Sequence, residues 1–201
     1  MEFTLYHQQG SRSQRVRWLL EELELNYHLH TINLFKGDGF SSEHLKRHPL
    51  GQLPVLDIDG QSMFESGAIV QWLADSYQDK GLAPAFDSPL RRKFNQWMYF
   101  SVTSLEAPAW EIILHSKILR KKEAVKEIIP LATKNLLQVL IILEKEIDGK
   151  KYMLGDQFTA VDIMVAYILM WFPQHLQDYP QLKNYIEHLK QRPAYIRSIQ
   201  N

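Results

Sequence analysis

Near the start of the chain, apolar and polar residues alternate in short runs, and further on apolar residues recur at helical spacing. Phe3-Thr4-Leu5-Tyr6 is a β-type run that ends at Gly10. Over residues 13–23, Val16, Leu19, Leu20 and Leu23 fall on one face of a helix. Residues 27–32 alternate again as a second strand, and a loop bearing Gly37 and Gly39 leads to a short polar helix near residues 42–46. Residues 54–58 read as a strand, Asp59-Gly60 as a hairpin turn and residues 61–64 as its partner. Ser66 then precedes an apolar-striped helix containing Ile69, Val70 and Leu73. The order β-α-β-α-β-β-α implies a parallel crossover followed by an antiparallel hairpin.

Beyond residue 80 only helical periodicity remains. Residues 81–88, with Pro84 and, just beyond, Pro89, read as a linker. Long helices are expected over about 89–119 and 122–147, followed by three shorter ones. The fold class is therefore an α/β domain over residues 1–80 joined to an all-helical domain over 89–201.

Composition narrows the chemistry. The 23 basic and 23 acidic residues balance, which argues against bulk nucleic-acid or anionic-membrane binding. The start of the chain shows no basic stretch followed by an apolar core, and the greasiest run, residues 163–172, is too short to span a bilayer, so a cytoplasmic protein is expected. There is no cysteine, which excludes disulfides, cysteine nucleophiles and thiolate metal sites. The eight histidines show no HExxH-type spacing; His28 and His30 share one strand face, where surface positions explain them better than a metal. Neither a dinucleotide fingerprint nor a P-loop is present.

Four segments carry candidate chemistry. Thr159-Ala160-Val161-Asp162 reads as a capping box, with Phe158 and Ile163 closing a hydrophobic staple; its role is structural. In Gln52-Leu53-Pro54-Val55 the proline suits the first residue of a strand, and on the sequence alone a trans bond is favoured. Phe64-Glu65-Ser66 launches a helix: Ser66 is either a plain N-cap or, beside the free amides of the helix start, a carboxylate site next to an acid that would bind an ammonium. Together these suit the α-amino acid end of a peptide. The segment Tyr6-His7-Gln8-Gln9-Gly10-Ser11-Arg12-Ser13 joins the first strand to the first helix, at the carboxyl end where αβ domains bind ligands. Ser11 or Ser13 is either a cap or a hydroxyl donor to an anion there.

In this order and spacing, the four segments resemble the cytosolic glutathione transferases over essentially the whole chain, and most nearly their bacterial and serine-type members. The Leu-Pro-Val segment is similar to the family's cis-proline strand, Glu65-Ser66-Gly67-Ala68-Ile69 to its Glu-Ser-x-Ala-Ile motif, and residues 159–162 to its helical-domain capping box. The resemblance implies a thioredoxin-like first domain and glutathione as co-substrate, with no other cofactor and no metal. It implies that Glu65 and Ser66 hold the γ-glutamyl end, and that Leu53, ahead of cis-Pro54, pairs with the cysteinyl part as an added strand. Gln52 falls where related bacterial members often carry a lysine facing the glycine carboxylate, and Lys36 is a possible substitute. Aligned on Gly-Ser-x-x-x-Arg, Ser11 takes the place of the thiolate-stabilising hydroxyl; Ser13 ranks second, and Tyr6, better suited to the core, third. Tyr99, Thr103, Trp110 and Ile113, three to seven residues apart, are expected to line a site for a hydrophobic electrophile between the domains, ordinary packing being as good an explanation of Trp110 and Ile113. A detoxifying homodimer is implied, with no nucleic-acid or membrane partner. The competing readings are a non-catalytic binding or regulatory relative, and glutathione-dependent peroxide reduction or dehalogenation at the same site.

Overall fold

The computed structural model describes residues 1–200 and divides them into two units, Met1–Ala83 together with the segment from Lys190 onward, and Pro84–Leu189. The division at 83/84 falls within the expected linker, but the last helix belongs with the first unit rather than with the helical domain.

In the first unit, strands β1 (Phe3–His7), β2 (His28–Thr31), β3 (Val55–Ile58) and β4 (Gln61–Phe64) form one sheet in the order β2-β1-β3-β4. β1 and β2 are parallel, and the β1–β3 and β3–β4 pairs are antiparallel, as expected of a thioredoxin-like domain. The register sets Leu5 opposite Leu56 and Tyr6 opposite Val55, so successive residues serve opposite faces of the sheet. Leu5 and Leu56 are fully buried, as are Val16, Leu19 and Leu20 of helix α1 (Ser13–Glu22) and Ile69, Val70 and Leu73 of helix α3 (Ser66–Ser76). Tyr6 and Val55 form a separate cluster with Ile32 and Leu53. Helix α2 (Ser42–Arg47) lies against this second cluster, with the Arg47 guanidinium 4.7 Å from the Tyr6 ring centre. β2 is an edge strand with all four residues exposed, His28 and His30 among them. The terminal helix α9 (Pro193–Ile199) packs on α1.

The second unit is helical. Helix α4 (Leu90–Phe100) runs through a π-type segment (Ser101–Leu105) into α5 (Glu106–Ile113) and a second π-type segment (Leu114–Ile118), filling the span expected of one long helix. Helix α6 (Ile128–Ile147) begins six residues later than the apolar pattern predicts. Pro130 explains the shift: it has no N–H to donate and restricts the residue before it, so it fits the first turn of a helix but not its interior. Helices α7 (Ala160–Leu169) and α8 (Pro180–Lys190) complete the unit, and every residue of α7 is buried. The capping box forms: Asp162 Oδ2 accepts the Thr159 N–H at 2.8 Å. Asp162 Oδ1 accepts the Met153 N–H and the Tyr185 hydroxyl, each at 2.8 Å. No helix among the described residues is long and apolar enough to cross a membrane.

Candidate functional site

Strand register assembles the site. Because Tyr6 pairs with Val55 and Val55 with Phe64, the loop after β1, the Leu53-Pro54 step before β3 and the Glu65-Ser66 step after β4 all meet at one end of the sheet. Three segments far apart in sequence, holding Ser11, Ser13, Leu53, Pro54, Glu65 and Ser66, thus converge in the first unit.

The Leu53–Pro54 peptide is cis, where the sequence alone favoured trans. Leu53 and Pro54 are buried and Gln52 is exposed. The Gln52 carbonyl is held by His44 of α2, whose Nε2 donates to it at 2.9 Å. Lys36 is exposed in a 3-10 turn (Leu34–Lys36) beyond β2.

Ser66 departs from its expected place as an N-cap. It is the first residue of α3, and Glu65 is the cap. Arg15 Nη1 donates to Ser66 Oγ at 3.1 Å from within the core, Arg15 itself being fully buried. Glu65 is exposed and adopts φ +72°, a left-handed value uncommon for a non-glycine residue. This turn presents an exposed carboxylate, a buried hydroxyl and a helix start carrying partial positive charge side by side.

Where the loop after β1 meets α1, Ser13 is fully buried and Ser11 half-buried, their Oγ atoms 2.7 Å apart. Ser13 Oγ also lies 2.8 Å from His7 Nδ1. Burial, reinforced by the nearby Arg17 charge and opposed by Gln9, pushes the His7 ring down to about 4, so it is neutral at pH 7. Tyr6 is not with these hydroxyls. Strand alternation turns it to the other sheet face, between the rings of His30 and His44 at 4.9 and 6.0 Å.

The remaining candidates lie in the second unit. Tyr99 is exposed on α4, and Thr103 sits in the first π-type segment with its hydroxyl donating to the Tyr99 carbonyl at 2.8 Å. Trp110 and Ile113 are half-buried on α5. The π-type segment that holds Thr103 shifts the phase of Trp110 and Ile113 relative to Tyr99 from that of an uninterrupted α-helix. Among the described residues, no group of three or more His, Asp or Glu side chains could hold a metal ion.

Three contributors escaped the sequence reading: Arg15, His7 and His44. The Gly-Ser-x-x-x-Arg pattern did contain Arg15, but only as an alignment mark.

Residues 1–75 match the profile of the glutathione S-transferase N-terminal domain, and residues 109–197 that of the glutathione S-transferase C-terminal domain. Among curated proteins, the chain is 27% identical over 203 residues to glutathione S-transferase PARB of Nicotiana tabacum, covering 95% of this chain and 93% of the relative. It is 28% identical over 204 residues to the disulfide-bond oxidoreductase YfcG of Escherichia coli, covering 94% and 91%. Among solved structures, the ternary complex of BphK, a bacterial GST, superposes with a TM-score of 0.87 at 26% identity, covering 98% of this chain and 97% of that one.

Proposed function

The chain belongs to the glutathione S-transferase family, and on that premise we propose that it binds glutathione at the end of the sheet and activates its thiol for attack on a hydrophobic electrophile. The observation that carries this reading is the register that brings Leu53, Glu65-Ser66 and the Ser11 loop together. Glu65 and the α3 start match the charges of the γ-glutamyl ammonium and carboxylate. The Leu53 backbone pairs with the cysteinyl part as an added strand. Gln52 and Lys36 face the glycine carboxylate, and the electrophile meets Tyr99, Thr103, Trp110 and Ile113. The active protein is a cytoplasmic homodimer, which light scattering tests.

The chain has no thiol of its own, so the sulfur is glutathione's. A free thiol near pKa ~8.5 is mostly protonated at neutral pH. One hydrogen bond to a charged group contributes roughly 1.5–3 kcal/mol, enough for the Ser11 hydroxyl to lower the thiol pKa by about one or two units. The start of α1 adds a smaller effect of the same sign. No general base is then required. Calorimetry with reduced glutathione tests the binding half: a Glu65→Ala, Ser66→Ala double variant loses affinity by tenfold or more on the order-of-magnitude cost of a charged contact, about 1.5–3 kcal/mol. Unchanged affinity sinks the reading. A panel of aryl halides, epoxides and enones tests the chemistry, with Ser11→Ala losing kcat mainly at neutral pH.

The relative named a disulfide-bond oxidoreductase favours a second reading, in which the same activated thiol attacks disulfides. Disulfide reduction without conjugation of any carbon electrophile selects it over the first.

A further inference from the structure

Residues 33–41, between β2 and α2, form a loop that closes on itself. Asn33 Oδ1 accepts the Lys36 N–H at 3.0 Å, and Asp38 Oδ2 accepts the Asn33 N–H at 2.9 Å. A second 3-10 turn (Asp38–Phe40) follows the one that ends at Lys36. Because β2 runs parallel to β1, with Thr31 beside His7, this loop leaves the sheet at the same end as the Ser11 loop.

Two contacts tie the loop to its surroundings. At its start, Leu34 donates its N–H to Gln8 Oε1 at 2.7 Å, across 26 positions. A backbone N–H can only donate, so the group at position 8 must accept. The Leu34 side chain packs against the cluster of Tyr6, Ile32, Leu53 and Val55. Near its end, Gly39 lies backbone to backbone on Gly51, the residue before Gln52. A Cβ on Gly39 would collide with the Gly51 carbonyl oxygen and stand 2.9 Å from Leu34 Cδ2. A Cβ on Gly51, at φ +64°, would stand 2.5 Å from the Gly39 carbonyl oxygen. Only a pair of glycines permits this approach. The loop is thus fastened on one side to the segment bearing Ser11 and on the other to the segment bearing Leu53. Lys36 is exposed between the two fastenings.

We infer that Gln8, Gly39 and Gly51 are positioning residues that set this loop as a fixed wall and hold Lys36 at the glycine carboxylate of glutathione. Selectivity for a free carboxylate at that end is then built by groups that never touch it. The inference rests on the placement of glutathione given above and adds what fixes its far end. An exposed lysine on an unfastened loop gives up much of its attraction to the entropy of ordering backbone and side chain together. Fastening the backbone removes the first share of that cost before the ligand arrives.

The test is calorimetry on the intact protein with glutathione and with its glycine monoethyl ester, which lacks only the negative charge at that end. The parent is expected to prefer glutathione by about two- to fivefold, the range of an exposed ion pair, and by more at low ionic strength. Lys36→Met brings the ratio to about one. Gln8→Leu, which has no acceptor, and Gly39→Ala, which pushes the loop off residue 51, each bring it below about 1.5, while ester affinity stays within about twofold of the parent's. Either change made on top of Lys36→Met moves the ratio no further. A change that only weakens the fold lowers both affinities together and leaves the ratio intact. Exchange of the Leu34 amide, followed by NMR, speeds up roughly three- to tenfold in Gln8→Leu and not in Gln8→Glu, which keeps an acceptor. Gln8→Leu reads the same wall should Gly39→Ala unfold the protein. Equal affinity of the parent for the two ligands overturns the wall and leaves glutathione at Glu65 and Ser66. A preference that survives Lys36→Met overturns the place given to Lys36. A preference lost in Lys36→Met but intact in Gln8→Leu and Gly39→Ala overturns the fastening. Failure of the parent to bind either ligand overturns the underlying reading, and the wall with it.

Discussion

Glu65 combines the charge that suits an ammonium with a backbone angle, φ +72°, that costs a non-glycine residue roughly 1–3 kcal/mol. The two properties separate in a pair of variants. Glu65→Gly relieves the angle and Glu65→Ala does not, so the glycine variant should unfold at higher urea and be more stable by about 1 kcal/mol. Both should bind glutathione equally weakly by calorimetry if the carboxylate is what holds the ammonium. His7 supplies a pH signature of its own. Its folded-state value of about 4 lies below the ordinary 6.5, so the unfolded chain takes up the proton first as pH falls. The stability His7 contributes is full above about pH 6.5 and is lost towards pH 4, a change of about 3 kcal/mol. Urea titrations of the parent and of His7→Asn across that window should differ by this slope, and parallel curves would refute it. At this scale the site was partly legible. Ser11, Leu53, Glu65 and Ser66 each sit in a local motif that a single strand or turn displays. Arg15 reaches Ser66 across 51 positions, and a buried arginine on an amphipathic helix reads in sequence as its polar face. His7 looked like loop because its partner Ser13 lies beyond a turn that no periodicity describes.

Helix α7 depends on one carboxylate. Asp162 is fully buried, and burial pushes it from the ordinary 3.8 up to about 6, against the opposing pull of the Met153 and Thr159 N–H groups and the Tyr185 and Thr159 hydroxyls. Its pH contribution therefore runs opposite to that of His7, being greatest below about pH 4 and falling as pH rises through about 6. The His7 slope must for that reason be read as a difference between variants. Asp162→Ala strands several buried donors at once and is expected to cost about 3–5 kcal/mol in urea unfolding. A loss below about 1 kcal/mol would reduce the network to an ordinary exposed cap. The capping box was legible because its two members stand three residues apart, whereas Met153 and Tyr185 join it only through tertiary contact. The two π-type segments between residues 101 and 118 were not legible. Over five residues, an i→i+5 turn leaves an apolar pattern that a 3.6-residue period fits almost as well.

The first unit is built from both ends of the described chain. Gln14 Nε2 donates to the carbonyl and hydroxyl of Ser198, and Trp18 meets the Tyr195 ring edge-on at 4.8 Å. The guanidinium of Arg192 grips both oxygens of Glu22 at 2.6 and 2.7 Å, and that of Arg197 holds Glu21 at 2.8 Å. The Glu22 side chain is only 8% exposed, so Arg192→Ala should cost about 2 kcal/mol, less than a fully buried pair because Arg192 is itself 26% exposed. Removing residues from 190 onward should cost more and uncover Trp18, which is 0% exposed, visible as a red shift of its fluorescence. The composition shift near residue 80 marked where the mixed αβ pattern stops, but could not show a helix returning to the first unit after a hundred helical residues, because both surroundings ask for the same amphipathic stripe. That return has a consequence for biosynthesis. The ribosome delivers α1 early and its partner α9 only after every residue of the second unit, so the nascent first unit waits with one flank of α1 bare while the helical unit is already complete enough to fold.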